Sequence, residues 1–193
     1  MRKNILQMVL LSLFFFANTV FALPQTFTLD PNHTYVLWHI SHLGFSSQSG
    51  KWYATGTMTL DKDHPQNSKV NASIQINTIV TGLPALDEHL MGPLFFDVQH
   101  FPTATFVSNK VAITGKDTAN VTGILTLHGV AKPVVLNVKL NQAAMNPISN
   151  NLTAGFSATT QIKRSDFGMD TLSPALGDEV QLEIEAEAVQ AKK

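Results

Sequence analysis

The sequence has no cysteine among its 193 residues, so neither disulfides nor thiolate chemistry are open to it. Soft thiolate metal ligands are absent for the same reason. Charge is also scarce: Asp, Glu, Lys and Arg make up 14% of the chain, against about 25% in an average domain. The formal net charge is −1 and no basic run occurs, so a nucleic-acid partner is not expected. There is no Gly-x-Ser-x-Gly elbow, no glycine-rich phosphate loop and no His-Glu-x-x-His or His-x-His spacing. Seven histidines are present, but His39 and His42 fall three apart on a predicted strand and point to opposite faces. Asp87-Glu88-His89 falls on a predicted helix, where adjacent side chains fan out around the surface. Neither catalysis nor a metal or organic cofactor is expected.

Long apolar runs are missing except for one, Ile5 to Phe16, which follows the basic start Arg2-Lys3 and precedes Ala17 to Ala22. This is the n-region, h-region and small-residue cleavage site of a secretory signal peptide, too short in its apolar part to span a bilayer. Residues 1–22 are predicted to be removed, leaving 23–193 as a single soluble domain. Arg2 and Lys3 go with the leader, so 11 basic residues then face 14 acidic ones, a net charge of −3. A secreted domain without disulfides must rest on its core alone.

What the chain does have is alternation. Val70 to Asn77 switches between apolar and polar at every position, the period of a strand with one dry and one wet face. Residues 119–127, 152–158 and 180–188 repeat the pattern, with Glu183, Glu185 and Glu187 on the wet side of the last. Weaker strands are expected at 25–30, 34–41, 51–60, 103–114 and 133–141. Loops are expected at 61–67, 115–117, 128–133 and 146–150. One segment breaks the rhythm. Residues 83–92 read as a short amphipathic helix, with Thr81 as its cap, Leu83, Leu86 and Leu90 on one face, and Gly92-Pro93 as its stop.

Eight or nine strands with one dry face each must close into a barrel or pack as two sheets. The inward set includes Ala72, Ala119, Gly123, Ala154, Ala158, Ala186 and Ala188, small residues that leave room for a hollow; an interdigitated sandwich core fits the pattern equally. A lipid-facing membrane barrel would crowd the three C-terminal glutamates into one lumen and is rejected. Arg164, the sole arginine after position 22, is expected to pair with Asp166 or Asp30 at a barrel end, or else to meet a ligand headgroup.

Several segments, taken in order, resemble a known family. They are Asp30-x-x-His33, Trp38-x-x-Ser41-His42-x-Gly44, Asp87-Glu88-His89-Leu90 with Phe95-Phe96-Asp97, Val121-Thr122-Gly123 through Lys132-Pro133, and Arg164 to Met169. Together they resemble the YceI-like family of periplasmic polyisoprenoid-binding proteins. The resemblance implies an all-β, eight-stranded antiparallel lipocalin-like barrel, a tunnel holding an isoprenoid or similar lipid, a periplasmic location and often a homodimer. A water-insoluble cargo also raises a transient contact with a membrane or membrane protein. One departure is Leu86, where the family commonly has Arg.

Strand phase and aromatic clustering nominate Trp38, Phe45, Trp52, Leu86, Leu90, Phe95, Phe96, Phe106 and Phe156 as the lining, with Phe167 and Met169 near one end. His42, His89 and Arg164 are the polar candidates at the mouth. The expected function is a soluble carrier of a polyprenyl or quinone tail. The alternatives are a fatty-acid or amide binder in the same fold, an accessory enzyme acting on a headgroup through His42, His89 and Arg164, and an interaction module with a filled interior.

Overall fold

A computed structural model describes residues 24–191, so the leader expected at 1–22 lies outside the described residues. The described chain forms nine strands and one short α-helix. The strands are β1 (Gln25–Leu29), β2 (Tyr35–His42), β3 (Ser46–Leu60), β4 (Lys69–Val80), β5 (Thr103–Ile113), β6 (Thr118–Leu127), β7 (Val130–Met145), β8 (Leu152–Lys163) and β9 (Leu176–Gln190). The helix α1 (Pro84–Met91) lies between β4 and β5.

All pairings are antiparallel, and the sheet closes on itself because β3 also pairs with β4. Nine strands fill only eight places. Both β1 and β2 pair with β3 on one side and β9 on the other, β1 along residues 57–60 and 188–190, β2 along 46–53 and 176–185. They are two halves of one strand, broken at residues 30–34. Thr34 bridges the break: its hydroxyl donates to the Glu187 carbonyl, and its own carbonyl accepts from the Ala54 amide. The result is a closed eight-place antiparallel barrel with one extra strand segment and a single helix. The all-β barrel expectation holds.

Closure requires coiling, and four register shifts supply it, at residues 40–42 of β2, 51–53 of β3, 108–110 of β5 and 140–142 of β7. Each bulge resets the phase, which is why Ser108 and Val111 both face inward on β5.

Two sequence expectations change. The loop expected at 128–133 shrinks to His128-Gly129, a tight hairpin turn with both residues at positive φ (51° and 75°). Pro133 sits inside β7 because β8 begins to pair only at Asn137, so its missing N–H faces an unpaired edge. Thr81 does not cap α1, whose N-cap is Leu83 with no side-chain cap bond. Asp87 instead reaches back and accepts from both the Thr81 amide (2.7 Å) and hydroxyl (2.6 Å), while Leu83 stands exposed rather than on the packed face.

Candidate functional site

Alternation along each strand determines what the barrel encloses. Val36, Trp38, Ile40 and His42 face inward from β2; Ala119, Val121, Leu125 and Leu127 from β6; Val134, Leu136 and Val138 from β7; Val180, Leu182 and Ile184 from β9. They line a cavity of about 1040 Å³ that reaches from Leu43, His89 and Leu172 at the helix end to Lys62 and Gly115–Thr118 at the other. That volume is at the upper end of small-molecule sites and equals roughly 35 waters of liquid. Its wall is almost wholly hydrocarbon. The ten residues of β6 alone span about 33 Å before tilt, so the hollow is long as well as large.

The small inward residues divide between two jobs. Ala72, Ala119, Ala158 and Ala186 line the cavity. Ala154 and Ala188 do not; both are fully buried around Phe27 of β1, which has no exposed surface. Phe27 packs this cluster with Leu29, Met58, Leu60 and Leu152, filling part of the barrel end away from α1. Sequence reasoning missed Phe27, because a five-residue strand shows too little alternation to assign a phase.

Of the fourteen nominated residues, all but two face the cavity. Trp38, Trp52 and Phe96 form one aromatic wall, with ring centroids 5.8 Å apart between the tryptophans and 5.1 Å edge to face between Trp52 and Phe96. Phe106 and Phe156 line the mid-section and far end, and Met169 the helix end. Leu86, Leu90, Phe95 and His89 descend from α1 and the turn after it, His89 against the Phe95 ring at 4.9 Å. Phe45 is a correction: it stands 90% exposed on the β2–β3 turn, outside the cavity. Phe167 is another: it is buried in the core beneath the cavity wall and does not line it. The main omission was aliphatic. Ile, Leu and Val residues such as Ile74, Val121, Leu125 and Ile184 outnumber the aromatic residues in the wall, and strand phase alone points to them.

Arg164 opens a 3-10 turn, Arg164–Phe167, and its guanidinium is buried. It pairs with neither Asp166 nor Asp30. It donates instead to three main-chain carbonyls: Met169 (2.6 Å), Gly177 (2.8 Å) and Leu176 (3.1 Å). The fork of five donors suits this task, tying the 168–176 loop to the start of β9. Asp178 supports the same corner by accepting from the Ser165 amide and hydroxyl, bonds that hold its carboxyl below the usual range, helped by the Arg164 charge. His42 and His89 both face the mouth, but Arg164 is already occupied by carbonyls and does not join them in a reactive group.

On the outer wall, Asp30 accepts from His33 at 2.8 Å beside Glu187, at the strand break. That bond lowers the Asp30 pKa and raises that of His33. Among the described residues this is the one trio with ligand atoms close enough to share an ion, and the hydrogen bond accounts for its geometry.

A closed barrel around a long apolar cavity defines a binding protein for apolar ligands. The YceI-like domain matches residues 27–188, and the chain belongs to that family. Protein YceI of Salmonella arizonae is 39% identical over the whole length of both chains. Among solved structures, BcnA of Burkholderia cenocepacia superposes with a TM-score of 0.72 at 25% identity, covering 82% of this chain and 98% of its own. A polyisoprenoid-binding domain from Saccharophagus degradans has the same fold, with a TM-score of 0.68 at 13% identity over 86% of this chain and 99% of its own. Among the described residues no helix is long and apolar enough to cross a membrane.

Proposed function

We propose that this protein is a periplasmic carrier that sequesters a single long isoprenoid chain, a polyprenyl or quinone tail, in the barrel cavity. The observation that carries this reading is the cavity of about 1040 Å³, walled by hydrocarbon along the barrel. A hollow that size lined by Ile, Leu, Val and Trp gains nothing from water and much from hydrocarbon, about 25 cal/mol for each Å² of apolar surface covered. A few hundred Å² yields on the order of 10 kcal/mol before the cost of ordering a flexible chain. No polar device is needed for such binding. The likeness to a polyisoprenoid-binding domain supports the choice of cargo. The engagement of Arg164 with three carbonyls weighs against headgroup chemistry at the mouth.

The test is organic-solvent extraction of the purified protein followed by mass spectrometry. One isoprenoid per chain is the expected result. Recovery of fatty acids or amides would keep the barrel but replace the cargo, and recovery of no lipid together with failure to take up an added polyprenol would overturn the reading. Edman sequencing of the accumulated protein should begin at Leu23.

A further inference from the structure

Large apolar side chains stand exposed at both ends of this barrel, but those at the helix end adjoin one another around the mouth. Four of them, Leu43 (50% exposed), Phe45 (90%), Leu94 (62%) and Leu172 (63%), sit on three loops at the helix end. The loops are bound to one another. The Leu43 amide donates to the Ala175 carbonyl at 3.0 Å, joining the β2–β3 turn to the 168–175 loop. The Thr171 hydroxyl donates to the Leu94 carbonyl at 2.7 Å, joining that loop to the turn after α1. Leu43 and Leu172 also line the cavity, with Phe95 and Leu86 just inside. The apolar residues therefore form a fixed rim that is continuous with the mouth.

Two of these leucines occupy costly backbone. Leu43 has φ 54° and Leu172 φ 61°, the left-handed region where Asn and Gly are cheap and Leu is not. Each is half or more exposed at the cavity mouth, and a leucine there does nothing for the turn that Asn or Gly would not do at less cost. Strain held at an open mouth points to use there.

The charges decide which partner fits. The rim loops, residues 42–46, 81–102, 128–129 and 164–176, contain no lysine, and their one arginine, Arg164, is buried and bonded. Glu88, Asp166 and Asp170 lie on the same loops. Beyond Lys163, which adjoins Arg164, the rim offers no free lysine or arginine to anionic headgroups, which leaves insertion of side chains into hydrocarbon. At the other end Ile113, Met145 and Ile148 are exposed as well, but Lys62, Lys69 and Lys116 line the opening there and make it a poor site for insertion.

We infer that this rim docks on the hydrocarbon surface of a phospholipid bilayer, seating the mouth on the membrane so that an apolar chain can pass between lipid and cavity without crossing water. Its occupant is the bilayer itself. Seating by insertion predicts weak, salt-insensitive binding that needs no anionic lipid.

The experiment is flotation of the purified protein, in the form the cell accumulates, with phosphatidylcholine vesicles prepared with and without phosphatidylglycerol, at low and high salt. The wild type should float with both. The variant Phe45→Asn/Leu94→Asn, at two exposed rim residues that do not line the cavity, should lose at least about tenfold in bound fraction, since each buried Leu or Phe is worth about one factor of ten or more. Neither side chain belongs to the core or to the cavity wall, so the variant should melt no lower than the wild type and still take up an apolar dye. Equal flotation of variant and wild type, or no flotation of the wild type, would overturn the inference. So would wild-type dimers that fail to float and that the variant dissolves, because the rim would then be an interface between two copies. The flotation readout contains no cargo, so failure of the carrier reading would not disturb it.

Discussion

Trp38 of β2 lies across Gly50 of β3, its register partner, and Phe106 of β5 lies across Gly123 of β6. A methyl at Gly50 would come 2.3 Å from the Trp38 ring, and one at Gly123 would come 2.5 Å from the Phe106 ring. The glycines thus let two large rings lie flat against the wall rather than stand across the lumen, as in the rescue of strand glycines by cross-strand aromatics. Gly50→Ala should cost about 1–3 kcal/mol by overpacking, and it should also push the indole into the cavity. Thermal melting and dye uptake should therefore fall together. If stability falls while uptake is unchanged, the ring has shifted elsewhere. Arg164 poses the reverse problem. Arg164→Met strips one buried and two partly buried carbonyls of a donor, at about 1–3 kcal/mol for a buried one left unpaired and less for the others, so a clear loss of stability is expected in denaturant melts.

At the scale of elements, the break at residues 30–34 lets β1 and β2 share one strand place, and the Arg164 corner ties the 168–176 loop to β9. The corner depends on protonation. The Asp178 carboxyl is held low by the Ser165 amide first, with the Ser165 hydroxyl and the Arg164 and Lys163 charges adding to it, against burial, which acts to raise it. A depressed carboxyl stabilises the fold above its unfolded value, about 3.9, and that contribution is lost as pH falls below it. Asp178→Asn should therefore melt below the wild type at about pH 6, and the gap should narrow at about pH 3. A gap independent of pH would show that shape rather than charge holds the corner. His33 runs the opposite way. Its raised pKa means that its bond to Asp30 contributes below about pH 6.5 and fades as pH rises through the folded value.

The same scale shows what alternation could and could not reveal. Long strands such as β4, β6 and β9 declare their inward face because each offers four or five repeats of the pattern. The short helix was legible from Pro84, the spaced leucines and Gly92-Pro93. The bulges were not, because one extra residue reads as ordinary noise in a period of two. They nonetheless decide which residues of β5 and β7 reach the lumen. The strand break was hidden for a similar reason: Asp30 to Thr34 reads as a turn between two strands, and only the register with β9 reveals one strand place. Arg164 was conspicuous in sequence, yet its carbonyl partners come from a loop without regular structure, where spacing carries no information.

For the molecule as a whole, the question is whether the barrel is hollow where it matters, and β8 carries a matched pair of residues that answers it. Ala154 and Ala158 lie on the same face of one strand, four residues apart, and pair across to Ala188 and Ile184 of β9. Ala158 lines the cavity, whereas Ala154 is sealed under Phe27. A phenyl ring at 158 enters open lumen and meets the wall without compressing it. A ring at 154 must displace Phe27 or part the sheet. Ala154→Phe should thus lose about 1–3 kcal/mol or more of stability. Ala158→Phe should melt at or above the wild type when both are stripped of lipid, because it covers apolar wall. The loaded proteins should then differ in the other direction. Wild type gains stability from ligand, about 2.7 kcal/mol at a hundredfold excess over Kd, whereas a lumen blocked at 158 gains little. Adding a polyprenol should raise the wild-type melting temperature and leave that of Ala158→Phe nearly fixed. Equal destabilisation by both rings would mean that the interior is packed, and the carrier reading would fall with it.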